Sequence, residues 1–261
     1  MKIAILYICT GKYNQFFEGF YESAMKYFMI DHDKTFFVWT DDDHIADGLP
    51  NVRVIHKECA GFPADSLFRF EMYLQAEEEL KKYDYIYFIQ ANAQFLQPVG
   101  DELLPDESGL TFAIWGGKML KKPVCFYPYE RNKKSLAYVP PYGKNYIYFM
   151  AGINGGRSKE YLELSRTLAA NIRDDYNRGI IAVVHDQSHI NAYLRTHKCK
   201  IITPEYCWPE EWPADFEPKM IFRDKFKYGE YFKRGRKATV PARIKKGAGI
   251  LWNAVRWYLK F

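Results

Sequence analysis

Apolar residues along this chain come in short blocks separated by polar or Gly- and Pro-bearing breaks. The period inside the blocks alternates between strand-like and helical. Lys2 to Gly11 (KIAILYICTG) is a nearly unbroken apolar run that stops at a glycine, which predicts a buried first strand. Phe16, Phe17, Phe20, Tyr21, Ala24, Met25 and Phe28 then recur at helical spacing. Thr35 to Thr40 (TFFVWT) and Val52 to His56 (VRVIH) predict two further strands. Ala64 to Lys82 predicts a helix with Leu67, Phe70 and Leu74 on one face and an acidic run, Glu77 to Glu79, near its end. Tyr85 to Ile89 (YIYFI) predicts another buried strand, ending abruptly in the polar triplet Gln90-Ala91-Asn92. Strands alternating with helices predict an α/β fold with a mostly parallel, Rossmann-like sheet. Ligands of such sheets bind beyond the carboxyl ends of the strands, where both the Thr10-Gly11-Lys12-Tyr13 loop and the Gln90 triplet would lie.

The second half changes character. Lys118 to Asn145 is rich in Pro, Lys and Tyr and predicts a long loop. Tyr146 to Gly156 (YIYFMAGINGG) predicts a strand running into small residues, and Ser158 is a candidate N-cap for a helix reaching about Asn171. Ile180 to Asp186 is an apolar run ending in charged chemistry, followed by a short helix to about Thr196. No internal repeat and no low-complexity tract is present.

Composition narrows the chemistry. With 261 residues the chain has room for one large domain or two small ones. Aromatic content is 18%, high enough to suit sugar-binding faces, although packing accounts for most aromatics equally well. Cys9, Cys59, Cys125, Cys199 and Cys207 are odd in number and lack metal-type spacing, which points to a reducing compartment without a disulfide framework or zinc site. The apolar run Ile3 to Cys9 is too short for a membrane span, so a strand is expected there and not a signal peptide. Charge is split: residues 218–261 carry 13 Lys and Arg against two acidic residues (+11), and the first 217 carry 24 against 30 (−6). A basic tail on an acidic body seeks anions: lipid headgroups, a pyrophosphate or nucleic acid.

The Gln90-Ala91-Asn92 triplet stands where many nucleotide-sugar transferases carry Asp-x-Asp to hold a divalent cation against the donor pyrophosphate. Amides are poor ligands for a hard cation, so a transferase working without metal is the leading expectation. Seven segments in order carry a wider likeness: YICTGKY (Tyr7 to Tyr13), YFIQANAQF (Tyr87 to Phe95), YERN (Tyr129 to Asn132), AYVP (Ala137 to Pro140), YIYFMAGINGG (Tyr146 to Gly156), HDQSHINAYL (His185 to Leu194) and TPEYCWP (Thr203 to Pro209). With these the chain resembles glycosyltransferase family 6, the family of the histo-blood group A and B transferases and the α-1,3-galactosyltransferase, over about residues 2 to 235. The lack of an N-terminal anchor resembles the bacterial branch, whose members work on the cytosolic side.

The resemblance implies a GT-A type fold in one catalytic domain, 1–237: a nucleotide-binding part over about 1–100, an acceptor-binding part over about 101–217 and a basic segment over about 218–237. It implies retaining transfer of galactose or N-acetylgalactosamine from UDP to the 3-hydroxyl of a β-galactoside, commonly fucosylated. No cofactor and no metal is expected. Donor contacts carried over are Ile8, Thr10 and Tyr13 around uridine, Arg69, the Gln90-Ala91-Asn92 triplet, the donor-selecting Met150-Ala151-Gly152, and Arg223, Lys225 and Lys227, in a segment that folds over the leaving group. Gly152 points to N-acetylgalactosamine and Met150 to galactose, so the donor stays open. His185, Asp186 and Gln187 occupy the catalytic segment, with Gln187 where the family has Glu. An amide cannot be a carboxylate nucleophile, although it can hydrogen-bond the acceptor or support front-face displacement. A natural glutamine enzyme, an engineered slow variant and a binding homologue without turnover are therefore all open. His185 and Glu205 would hold the acceptor, with Trp115 and Trp208 as apolar platforms. Asp41-Asp42-Asp43 also contains Asp-x-Asp and is expected to be a solvated loop.

Residues 238–261 form a basic amphipathic tail beyond the main resemblance. Ile244, Ala248, Leu251, Val255 and Leu259 make one apolar stripe, flanked by Arg243, Lys245, Lys246, Arg256 and Lys260, with Trp252, Trp257 and Tyr258 suited to a lipid interface. This predicts a helix lying on an anionic membrane, hence a peripheral protein at the inner face of a bacterial cytoplasmic membrane near a lipid-linked glycan. Packing of that helix on the protein or at a dimer contact is the alternative. The stripe speaks against nucleic acid as the partner.

Overall fold

A computed structural model describes residues 1–116, 122–233 and 240–259, with side chains at all of these except 233 and 240–246. Strands β1 (Lys2–Ile8), β2 (Asp33–Thr40), β3 (Val52–His56), β4 (Tyr85–Ile89), β6 (Leu110–Ile114), β7 (Phe149–Arg157) and β8 (Lys200–Ile202) form one sheet in the order β3-β2-β1-β4-β7-β6-β8. All pairings are parallel except those of β7, which runs antiparallel to β4 and β6. A small sheet of β5 (Ala93–Phe95), β10 (Met220–Phe222) and β9 (Trp208–Pro209) continues from the end of β4. This is the mostly parallel α/β arrangement that the alternating pattern predicts, and it is consistent with the GT-A type fold that the resemblance implies.

Both faces of the sheet are covered, which is why β1 reads as a continuous apolar run. Ile3, Ile5 and Tyr7 pack with Phe17, Phe20 and Ala24 of α1 (Phe17–Tyr27) on one side. Ala4 and Leu6 face the other side, with residues of α3 (Arg69–Gln75) and α5 (Ser158–Asn177). The helix expected over Ala64 to Lys82 is three pieces: α2 (Ala64–Leu67), α3 and α4 (Glu77–Leu80). Phe68 and Ala76 interrupt it at φ −96°, ψ 16° and φ −105°, ψ 17°. Helix α5 runs six residues past the expected end at Asn171. Ser158 is its first helical residue and Arg157 the N-cap, and no side-chain capping bond forms. Helix α6 (His185–Tyr193) starts at the HDQ segment itself, and the preceding Ile180 to Val184 is irregular, with Ile181 and Val183 exposed.

The tail folds as helix α7 (Val240–Leu259). Ala254 and Trp257 are buried, whereas Leu251, Trp252, Val255 and Leu259 are exposed. Trp257 is therefore not the interfacial residue expected. Its indole N–H donates to the Val139 carbonyl at 2.8 Å and its ring lies against Tyr129 and Tyr146. Ile244, Arg243, Lys245, Lys246 and Lys260 of the expected stripe and flanks lie outside the described side chains, as does the boundary near residue 237. Among the described residues no helix is long and apolar enough to cross a membrane.

Candidate active site

The ends of β1 and β4 and the start of β7 converge on one cavity of about 350 Å³. Ile8 and Thr10 come from the end of β1, Phe88, Gln90 and Ala91 from β4, and Ala151 from β7. The irregular stretch at Cys59, Gly61 and Phe62 with Asp65 and Ser66 of α2 forms one wall, His185, Asp186 and Gln187 another, and Tyr13, Lys225 and Tyr231 complete it. A ligand pocket at the carboxyl end of a mostly parallel sheet is the expected place, because loops diverge there around neighbouring strands.

A buried ion pair organises the centre. Arg69 and Asp186, both nearly inaccessible, stand 3.1 Å apart (Nε to Oδ2). The contact lacks hydrogen-bond alignment, because Arg69 Nε and Nη2 have no such partner. Arg69 Nη1 donates to the Ala151 carbonyl at 3.1 Å, and its guanidinium lies 4.2 Å over Phe88. Burial pushes the Asp186 carboxyl up from its ordinary range, and Arg69 opposes that rise. His185, just before Asp186, has φ +49°, a left-handed conformation unusual for a non-glycine residue and recurrent where side chains are held for function. Its ring meets Phe62 edge-on at 4.8 Å.

Gln187 is buried and bonded at both ends of its amide. Oε1 accepts from the Ala151 N–H at 3.0 Å, and Nε2 donates to the Tyr148 hydroxyl at 2.9 Å. The middle of the Met150 to Gly152 triplet is thus held by Arg69 through its carbonyl and by Gln187 through its N–H. Gly152 has a different constraint. A Cβ there would sit 2.4 Å from Phe222 Cζ and 2.8 Å from Gln90 Oε1. Packing against the Phe222 ring is thus a second reason for a small residue at 152, beside the room for an N-acetyl group. Met150 is half-buried in the core beyond the cavity.

The remaining expected site residues divide. Lys225 reaches the cavity, where its ammonium donates to the Tyr13 hydroxyl at 3.2 Å. Arg223 does not line it: Nη2 donates to the Phe16 carbonyl at 2.8 Å and the guanidinium lies over Phe16 and Tyr228. Lys227 points outward to Glu210 at 2.6 Å. Trp208 is buried, with its ring against Trp212 and Phe216, and Glu205 accepts from the Thr203 hydroxyl at 3.2 Å; neither lines the cavity. Trp115 stands behind the catalytic segment, against the Tyr148 that holds Gln187. Asp41 is not part of a solvated loop. It accepts from the Gly11 N–H at 2.8 Å and from Asn14 at 2.9 Å, while Asp42 and Asp43 are exposed. Sequence reasoning missed Tyr148, Tyr231 and the Cys59 to Ser66 wall, none of which carries a periodic signal.

The triplet at the end of β4 fits a hard divalent cation poorly. Asn92 Nδ2 donates to the Arg223 carbonyl at 2.8 Å, and its buried Oδ1 has no partner. Gln90 supplies a second amide, and among the described residues no group of three or more His, Cys, Asp or Glu gathers to hold a metal. Two amides without a carboxylate leave a doubly charged cation uncompensated.

The glycosyltransferase family 6 model matches residues 1–225. The chain belongs to glycosyltransferase family 6. It is 33% identical over 226 residues to the O-antigen biosynthesis glycosyltransferase WbnI of Escherichia coli, covering 86% of this chain and 95% of that protein. It is 28% identical over 239 residues to globoside alpha-1,3-N-acetylgalactosaminyltransferase 1 of Gallus gallus, and 29% identical over 224 residues to histo-blood group ABO system transferase 1 of Rattus norvegicus. These alignments cover 87% and 81% of the chain but 66% and 63% of those proteins. Family membership makes the protein a glycosyltransferase of the hexosyl type, with a nucleotide-sugar donor and a glycan acceptor. Helix α7 begins after the matched span.

Proposed function

We propose that the protein transfers galactose or N-acetylgalactosamine from its UDP conjugate, in α-1,3 linkage and with retention, to a β-galactoside, in particular a fucosylated one, without a metal ion. The observation that carries this is a cavity of a family 6 chain lined by Arg69, Asp186, Gln187 and Lys225, with amides at 90 and 92. Uridine would lie against Ile8, Thr10 and Tyr13. Lys225, which lines the cavity with Tyr231 of the same C-terminal segment, would oppose the pyrophosphate charge in place of a cation. Asp186, fixed by Arg69, would accept from sugar hydroxyls. Gln187 would position the acceptor while the departing phosphate oxygen takes its proton, so bond breaking and bond formation share one face of the donor sugar. A catalytically impaired binding homologue is the second reading, and Gln187 is the residue that favours it.

We place the protein in the cytoplasm at the inner face of a bacterial membrane. The exposed side of α7 (Leu251, Trp252, Val255 and Leu259) would lie on anionic lipid near a lipid-linked acceptor. The O-antigen role of the Escherichia coli relative supports a surface glycan as the product.

The test is UDP release from UDP-galactose and UDP-N-acetylgalactosamine with fucosylated lactose, with and without EDTA, for the protein and for Gln187→Glu. EDTA-resistant turnover by the protein with Gln187 supports the reading, and turnover by the Glu variant alone would establish the binding homologue. Flotation with anionic vesicles tests the tail, and equal recovery for Leu251→Glu/Val255→Glu would refute membrane docking.

A further inference from the structure

A second groove, of about 880 Å³, opens between the stretch 122–133 and helix α7. Its floor is aromatic, with Tyr127, Tyr129 and the pinned Trp257. Its rim is cationic: exposed Lys122 comes from the loop wall and exposed Arg256 from the helix wall. The groove and the active-site cavity adjoin along one stretch of backbone. Val183 lines the groove, while Val184 and His185 line the cavity. Glu130, in the groove, accepts from the Val183 N–H at 2.7 Å and so fixes that shared wall. One wall is helix α7, which lies outside the residues 1–225 that the family model matches.

We infer that this groove is a subsite for the acceptor beyond its terminal galactose, and that it selects an acceptor bearing an anionic group on the reducing side. The inference rests on the transferase reading above and adds the acceptor's class. Aromatic faces suit the apolar faces of sugar rings, and polar groups at a pocket's rim set orientation. Lys122 and Arg256, one on each wall, complement a phosphate, a diphosphate or an acidic sugar crossing between them. The exposed face of α7 is a different side of the helix, so a lipid surface there and a glycan in the groove do not compete.

The experiment titrates the full chain, saturated with UDP, by calorimetry with three probes. These are lactose, lactose carrying a short alkyl diphosphate at its reducing end, and lactose extended at that end by glucuronic acid. At least one anionic probe is expected to bind at least tenfold tighter than lactose. Lys122→Gln/Arg256→Gln, at two exposed positions, should return it to the lactose level with UDP affinity unchanged. Which probe gains names the source of the charge. The inference is overturned if neither anionic probe gains over lactose, if none binds, or if the gain survives the double substitution. Failure of transfer to fucosylated lactose in the UDP-release assay would count against the transferase reading and leave the titration result to stand or fall by itself.

Discussion

Removing either member of the Arg69–Asp186 pair should cost far more than removing both. The two charges stand 3.1 Å apart in a nearly inaccessible site. At an effective dielectric of about 20, their attraction is about 5 kcal/mol. Much of that repays desolvation, so the pair as a whole adds little net stability. The asymmetry appears on deletion. Arg69→Ala leaves the Asp186 carboxylate buried and unopposed, frees the Ala151 carbonyl and exposes the Phe88 face, and should cost about 3–5 kcal/mol. Asp186→Ala leaves Arg69 with one bond and an uncompensated charge, and should cost a similar amount. In Arg69→Met/Asp186→Leu both charges go and the volume is kept, so the double variant should lie at least 2 kcal/mol above the sum of the losses of Arg69→Met and Asp186→Leu made singly. Urea unfolding followed by far-UV circular dichroism gives each value, provided the slope m is the same in all variants. Because Asp186 lines the cavity, the restored double variant should still be inactive. Costs that add within about 0.5 kcal/mol would refute the coupling, and with it the claim that Arg69 fixes Asp186 electrostatically.

Other outcomes follow from single contacts. Tyr148→Phe leaves the Gln187 Nε2 donor without its partner, so the unfolding free energy from urea titration should fall by about 1–2 kcal/mol and turnover should drop with a smaller change in donor KM. Gly152→Ala drives a methyl into Phe222 and Gln90 and should lower stability by about 1–3 kcal/mol by thermal or urea unfolding, with both donors affected alike. Lys225→Ala should weaken UDP binding by about tenfold in calorimetry, and the loss should shrink as salt is raised. Burial holds the His189 imidazole down at about 4, below its ordinary 6.5, although Asp175 pulls the other way. The unfolded chain therefore takes up a proton that the folded chain refuses, so stability falls as pH drops from 6.5 towards 4, by about 2 kcal/mol at pH 5. His189→Gln should flatten that part of the stability profile, and an unchanged slope would refute the assignment.

The first half of the fold was legible because it is buried on both sides. Strands β1, β2 and β4 are packed on both faces, so their sequences are largely apolar and stand out from the polar breaks between them, whereas edge strand β3 alternates and has no fully buried residue. Strands β5, β9 and β10 have two or three residues each, too few to show a period, and they were not anticipated. The polar triplet at Gln90 and the HDQ segment both reached the cavity, because a strand end and a helix start are places where polarity interrupts an apolar pattern. Charge was the weaker guide. Arg223, Lys225 and Lys227 alternate in one basic run, yet only the middle one of the three faces the cavity. Phe16 and Glu210 engage the other two, and a partner 17 or 207 residues away leaves no local mark. The tail shows the same limit: its amphipathic period was plain, but the pinning of Trp257 by Val139 depends on a contact across 118 residues.

Gln187 is the departure that matters most for chemistry, and its surroundings fix how it sits. The Ala151 N–H can only donate, so the amide oxygen must face it and the amide nitrogen must face Tyr148. Tyr148 is thereby made an acceptor towards residue 187. A glutamate could take the same place, but only if Tyr148 reversed and donated to it. Gln187→Glu thus changes two things together: it adds a negative charge beside Asp186, and it reverses the Tyr148 hydrogen bond. Tyr148→Phe in the glutamate background separates them. It removes the reversed bond and keeps the charge, so a rate gain that depends on carboxylate charge alone should survive it. Loss of the gain would mean that Tyr148 has to hold the carboxylate in place.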